Sequence, residues 1–77
     1  MKMVNKCLDR LFNSKKPLKI KWQAFIENNK LYFYHYQHKL LIYDFEKNKS
    51  EFIFYETKTD LRGLNFALQY LKNKNFN

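Results

Sequence analysis

Hydrophobic residues recur with a helical period at the start of the chain. Val4, Cys7, Leu8, Leu11 and Phe12 fall at i, i+3, i+4, i+7 and i+8, which is one face of a helix. Lys2, Lys6, Asp9 and Arg10 occupy the other side. The pattern stops at Asn13-Ser14-Lys15-Lys16-Pro17, where the chain's one proline ends the helix and opens an extended stretch. From Leu18 the period changes to two: Leu18, Ile20, Trp22, Ala24 and Ile26 alternate with Lys19, Lys21, Gln23, Phe25 and Glu27. That is the signature of a strand with one buried face.

Asn28-Asn29 suits a two-residue hairpin turn, because Asn tolerates positive φ. Such a turn pairs Glu27 with Lys30, Ile26 with Leu31, Ala24 with Phe33 and Trp22 with His35, so the apolar faces of the two strands coincide. The reverse face then sets Phe25 across from Tyr32, Gln23 from Tyr34 and Lys21 from Tyr36. Beyond it, a turn at Gln37-His38 divides strands 30–36 and 39–46, or one long bent strand spans both; the sheet has three or four strands. The polar loop Lys47-Asn48-Lys49-Ser50 leads to Phe52-Ile53-Phe54-Tyr55. Pairing across it sets Phe45 opposite Phe52 and Tyr43 opposite Phe54, with Ile42 against Tyr55 and Asp44 against Ile53 on the reverse face.

The last segment is a helix with Thr59 as N-cap, Asp60 in its first turn, and a stripe of Leu61, Leu64, Ala67, Leu68 and Leu71. Gly63 costs a helix about 1 kcal/mol relative to Ala, so its presence points to close packing against the sheet. The fold class is therefore α+β: an N-terminal helix, a three- or four-stranded antiparallel meander and a C-terminal helix, in two layers and a single domain over residues 1–77. With both helices on the face of Trp22, Leu31 and Phe33, the other face exposes Phe25, Tyr32, Tyr34, Tyr36, Ile42, Ile53 and Tyr55. A patch of that size marks an interface; helices flanking the sheet on both sides would instead remove it.

Fifteen Lys and Arg against seven Asp and Glu give a formal charge of +8 on 77 residues. A field of that sign attracts polyanions and acidic protein surfaces. Thirteen of the fifteen are Lys, which is a point charge without the planar fork that reads bases, so any nucleic-acid contact is expected to be sequence-tolerant. The abundance of Lys, Asn, Phe, Tyr and Ile also matches the codon bias of an AT-rich genome. Eight Phe, six Tyr and one Trp let a short chain fill a core. The N-terminal pattern is not a secretory h-region, no run reaches transmembrane length, and a lone cysteine fits a reducing cytosol. A cytoplasmic location is expected.

The chemistry-bearing residues point away from catalysis. Cys7 lies on the apolar face of its helix, as a packing residue does. His35 and His38, three apart, fall on opposite faces of a regular strand, and no further Cys or His completes a zinc site, so no metal and no cofactor are expected. One glycine excludes phosphate-loop and dinucleotide motifs. Asp44 followed by Glu56-Thr57-Lys58 resembles the residue order of the PD-(D/E)xK nucleases, which implies a metal held by the two carboxylates. The expected register puts Glu56 roughly 10 Å from Asp44, too far for one ion. In element order the chain is similar to a double-stranded-RNA-binding domain, which opens its second helix with Lys-Lys-x-Ala-Lys; this chain offers Lys58 and Arg62 there.

Two binding functions follow. The first is contact with nucleic acid, or a nucleic-acid-handling complex, through a face of Lys19, Lys21, Gln23, Phe25, Tyr32, Tyr34 and Tyr36, with Lys58 and Arg62 as further basic contacts. The second is protein binding: a homodimer, or a phage- or plasmid-borne stoichiometric inhibitor of a host enzyme or defence complex. Lysines ringing the aromatic face would favour nucleic acid; an aromatic face without excess charge would favour protein.

Overall fold

A computed structural model describes residues 2–17 and 20–74. The order is α1 (Lys2–Phe12), β1 (Trp22–Glu27), β2 (Lys30–His35), β3 (His38–Asp44), β4 (Lys49–Ile53) and α2 (Lys58–Asn73). The four strands form one antiparallel sheet in sequence order, β1-β2-β3-β4. Both helices pack on the same face of it. Val4 and Leu8 of α1 join Leu64, Ala67 and Leu71 of α2 over Trp22, Leu31, Phe33, Leu41 and Tyr43 in one buried cluster. The α+β two-layer architecture thus follows from the periodicities, with four strands. The expected strand from Leu18 begins only at Trp22; Leu18 and Lys19 lie outside the described residues.

The first hairpin has the expected register, Glu27 opposite Lys30 through to Trp22 opposite His35. Asn28 and Asn29 both adopt positive φ, 53° and 62°, the backbone of a turn that matches strand twist. The second turn differs from expectation. It is made by Tyr36-Gln37 rather than Gln37-His38, with Tyr36 at φ 54° and His35 paired directly with His38. A bulky residue in the left-handed region is unusual, and the one-residue shift changes which way His38 faces.

Two bulges then break strict alternation. Between Phe33 and Tyr34 the register slips by one, leaving Leu40 as the extra residue on β3. Leu40 and Leu41 are both fully buried and both belong to the core cluster, where strict alternation would send one of them to the other face. The second slip, between Ile42 and Tyr43, makes Glu51 the extra residue on β4. The expected third register was therefore wrong: Ile42 lies across from Phe52, Tyr43 from Ser50 and Asp44 from Lys49. The tight turn at Asn48, φ 52°, starts β4 earlier than the pattern of Phe52-Ile53-Phe54-Tyr55 implied. Phe45 packs instead on Phe12 and Tyr43.

The C-terminal helix starts at Lys58, so its N-cap is Thr57 and not Thr59. The Thr57 hydroxyl accepts from the Asp60 N–H at 3.0 Å, and the Asp60 carboxylate accepts from the Thr57 N–H at 3.2 Å, a complete capping box. Gly63 has the packing role its position suggested. A Cβ built there would come within 2.2 Å of the Trp22 ring. Across the two helices, the Tyr70 hydroxyl donates to Asp9 at 2.6 Å; burial first, and then that bond, push the Tyr70 phenol well above its usual range.

Candidate docking face and a buried histidine–aspartate cluster

The face of the sheet away from the helices is organised in rows across the strands. Phe25, Tyr32, Ile42 and Phe52 stand opposite one another on all four strands, an uninterrupted apolar row. Phe25 and Phe52 remain 42% and 39% exposed. Beside that row Gln23 faces Tyr34, which faces Lys39. On its other side Glu27, Lys30, Asp44 and Lys49 alternate acid and base from strand to strand. The bulged Glu51 adds an ion pair with Lys30 at 2.7 Å.

The charges on the strands cancel. Lys30, Lys39 and Lys49 stand against Glu27, Asp44 and Glu51, so the whole formal excess of +8 is carried outside the strands. Two of the three lysines on the open face are also engaged. Lys30 meets Glu51, and the Lys39 ammonium sits 5.4 Å from the centre of the Phe52 ring. The rings have neighbours too: Phe25 stacks on Tyr32 at 4.9 Å with planes 12° apart, and on Tyr34 at 6.0 Å. Two rings lying flat side by side cannot come as close as 4.9 Å, so their faces overlap. Part of the surface on which a base would stack is already covered.

The residues expected to share one binding face are thus only partly together. Phe25, Tyr32, Tyr34 and Gln23 share it, although the Gln23 amide turns back to donate to the Ile20 carbonyl at 2.8 Å. Lys21 is exposed one residue before β1, where its carbonyl accepts the Tyr36 N–H. Tyr36 is 67% exposed in the second turn. Lys58 and Arg62 are exposed on α2, in the helix layer and away from the open face. Lys19 lies outside the described residues. Ile53 is across from Leu41 rather than on the open row, and Tyr55 lies beyond β4; Phe52 takes the place expected of them.

A second site joins residues that the sequence reading separated. Asp60 is fully buried at the start of α2. Its Oδ1 lies 2.5 Å from Nδ1 of His35, and its Oδ2 lies 3.0 Å from Nδ1 of His38. The Glu56 and Thr57 N–H groups also donate to Oδ2, at 3.1 and 3.2 Å. Burial raises the Asp60 carboxyl, but the hydrogen bonds from His35, the Glu56 N–H, His38 and the Thr57 N–H outweigh it and hold the group well below the usual carboxylate range. The His35 ring is clamped against Trp22, with centroids 4.1 Å apart and planes at 19°. His35 and His38 do not point to opposite faces as expected, because a two-residue turn makes them a cross-strand pair.

The remaining candidates have structural roles. Asp44 Oδ1 accepts from the Glu46 and Lys47 N–H groups at 2.9 and 3.2 Å, which caps the third turn. Those bonds hold its carboxyl below its ordinary value, the Lys47 N–H foremost. Its partner is Lys49, four residues short of the Ile53 once expected opposite it, so Glu56 is farther away than the nuclease-like order requires. Burial pushes the Cys7 thiol up to about 11, a poor nucleophile. No helix among the described residues is long and apolar enough to cross a membrane. Comparison with known protein families, with curated proteins and with solved structures finds no match to this chain.

Proposed function

We propose that this chain is a non-enzymatic binding module whose open sheet face docks on protein, with a second copy of the chain as the occupant. The observation that carries this reading is the separation of charge from aromatics. The four strands have no net charge, while the chain as a whole has +8. A surface that tracked phosphates would concentrate its free lysines beside its rings. Here Lys30 and Lys39 are engaged locally, and the basic excess belongs to the helices and connections. Two copies meeting sheet to sheet would keep that excess outward, away from the interface.

The dimensions favour a reversible dimer. Four strands about 4.8 Å apart and some six residues long form a plane of roughly 15 by 20 Å. Two such planes bury roughly 600 Å² before side-chain relief, below the roughly 1,200 Å² at which specific interfaces begin, so the pairing is weak and transient. The test is the oligomeric state of the wild type and of Phe52→Glu, which places a charge at the edge of the apolar row. We expect a concentration-dependent wild-type dimer and a monomeric variant that still unfolds cooperatively. A wild type that stays monomeric at high concentration would overturn self-docking.

Contact with nucleic acid is the second reading, and the charge of +8 favours it. In this reading the contact would lie on the helix layer, where Lys58 and Arg62 are exposed, rather than on the sheet face. Its mark is RNA or DNA affinity that falls steeply with salt and drops in Lys58→Ala/Arg62→Ala, but not in Phe52→Glu. A free, half-buried cysteine suits the reducing cytoplasm in which such a module would work.

A further inference from the structure

We propose that His35, His38 and Asp60 form a binding site for one transition-metal dication of the zinc type. The three come from separate elements: the end of β2, the start of β3 and the first turn of α2. One ligand atom from each lies within 4.8 Å of the other two. Both imidazoles turn the same nitrogen, Nδ1, toward one carboxylate. The chain has two histidines, and both are here.

The donor set selects the class of ion. Two imidazole nitrogens and one carboxylate oxygen suit zinc, iron(II), cobalt or nickel, whereas magnesium and calcium take oxygen ligands. Zinc holds such donors at about 2.0–2.2 Å in a tetrahedron, which places neighbouring donors roughly 3.4 Å apart. His38 Nδ1 is 3.0 Å from Asp60 Oδ2 and must move out by a few tenths of an ångström, while His35 Nδ1, 2.5 Å from Oδ1, must move out by roughly 0.9 Å. Three protein donors leave a position for water on the side of His38, whose side chain is 39% exposed. In a neutral ring, the ion takes Nδ1 and the displaced proton moves to Nε2, so the ring keeps its charge.

The surroundings hold the ligands in place before any ion arrives. The Glu56 and Thr57 N–H groups fix the carboxylate, and Trp22 fixes the His35 ring. Two features limit the affinity. Nε2 of His35 is buried without a hydrogen-bond partner among the described residues, and the chain is already positive. The same three side chains can also be held by hydrogen bonds alone, with protons in place of the ion, and the experiment separates these two states.

Zn²⁺ is titrated calorimetrically into the full chain, without added histidines, at pH 7.5. The cobalt(II) visible spectrum and the imidazole ¹⁵N shifts are recorded alongside. Expected is one ion per chain with a dissociation constant below about 100 µM, perturbation of both histidine rings, and at least tenfold weaker binding in His38→Ala. His38 is the half-exposed ligand, and His38→Gln serves as the second variant if His38→Ala does not fold. Weaker wild-type binding, or binding that neither variant reduces tenfold, overturns the proposal and leaves the cluster as a hydrogen-bonded buried charge.

Discussion

The two faces of the sheet are built from similar residues and meet opposite fates. One presents Trp22, Leu31, Phe33, Leu41 and Tyr43, all nearly inaccessible under α1 and α2. The other presents Phe25, Tyr32 and Ile42 on the same strands and Phe52 on β4, yet Phe25 and Phe52 keep about two fifths of their surface exposed. Aromatic content therefore does not separate core from surface in this chain. What separates them is whether the chain supplies a cover. Both helices are committed to one side, and Gly63 lets α2 approach the Trp22 ring closely enough to complete it.

The largest effect that tests this contrast belongs to the covered face. Trp22→Ala removes the ring on which Phe33, His35 and the Gly63 turn of α2 all pack. It should cost about 3–5 kcal/mol in denaturant unfolding, which is severe for a chain of this length. Next is Gly63→Ala, a helix-favouring change that should nevertheless destabilise by about 1–3 kcal/mol, because the new Cβ meets an aromatic ring that cannot retreat. An increase in stability would show that the helix does not pack as described.

A smaller effect concerns the half-buried Cys7 behind α1. With its thiol pushed up to about 11 from 9.0, thiolate is scarce below pH 9, and alkylation should run on the order of tenfold to a hundredfold slower in the folded chain than in urea. Its proton linkage has a definite sign. The folded state holds this proton more tightly, so stability falls as pH rises from 9.0 through about 11. Smallest is Phe52→Ala on the open face. It should change monomer stability by less than about 1 kcal/mol, whereas a cost near that of Trp22→Ala would make the open row part of the core.

Legibility in the sequence followed the turns. Asn28-Asn29 announced itself, since Asn accepts positive φ and the hydrophobic pattern on both sides agreed with it. Everything on β1 and β2 from Trp22 to His35 was readable from that one turn. Tyr36 gave no such signal, because a tyrosine in the left-handed region runs against its steric preference. Placing that turn one residue late separated His35 from His38 and hid the cluster with Asp60. A histidine on each side of a two-residue gap between strands was the available clue. The bulges at Leu40 and Glu51 were likewise invisible to a period-two reading, and they determine why Leu40 is buried and Phe52 is not. Charge segregation needed the register as well, since only the paired strands show that their lysines and acids cancel.

Sedimentation equilibrium of the wild type beside Phe52→Glu, from about micromolar to millimolar concentration at roughly physiological salt, tests the central claim most directly. The account predicts a reversible wild-type dimer that the substitution abolishes, with the thermal midpoint of the dilute chain little changed. A wild type that stays monomeric across the range, or a dimer indifferent to Phe52→Glu, would contradict the assignment of the open sheet face as the docking surface.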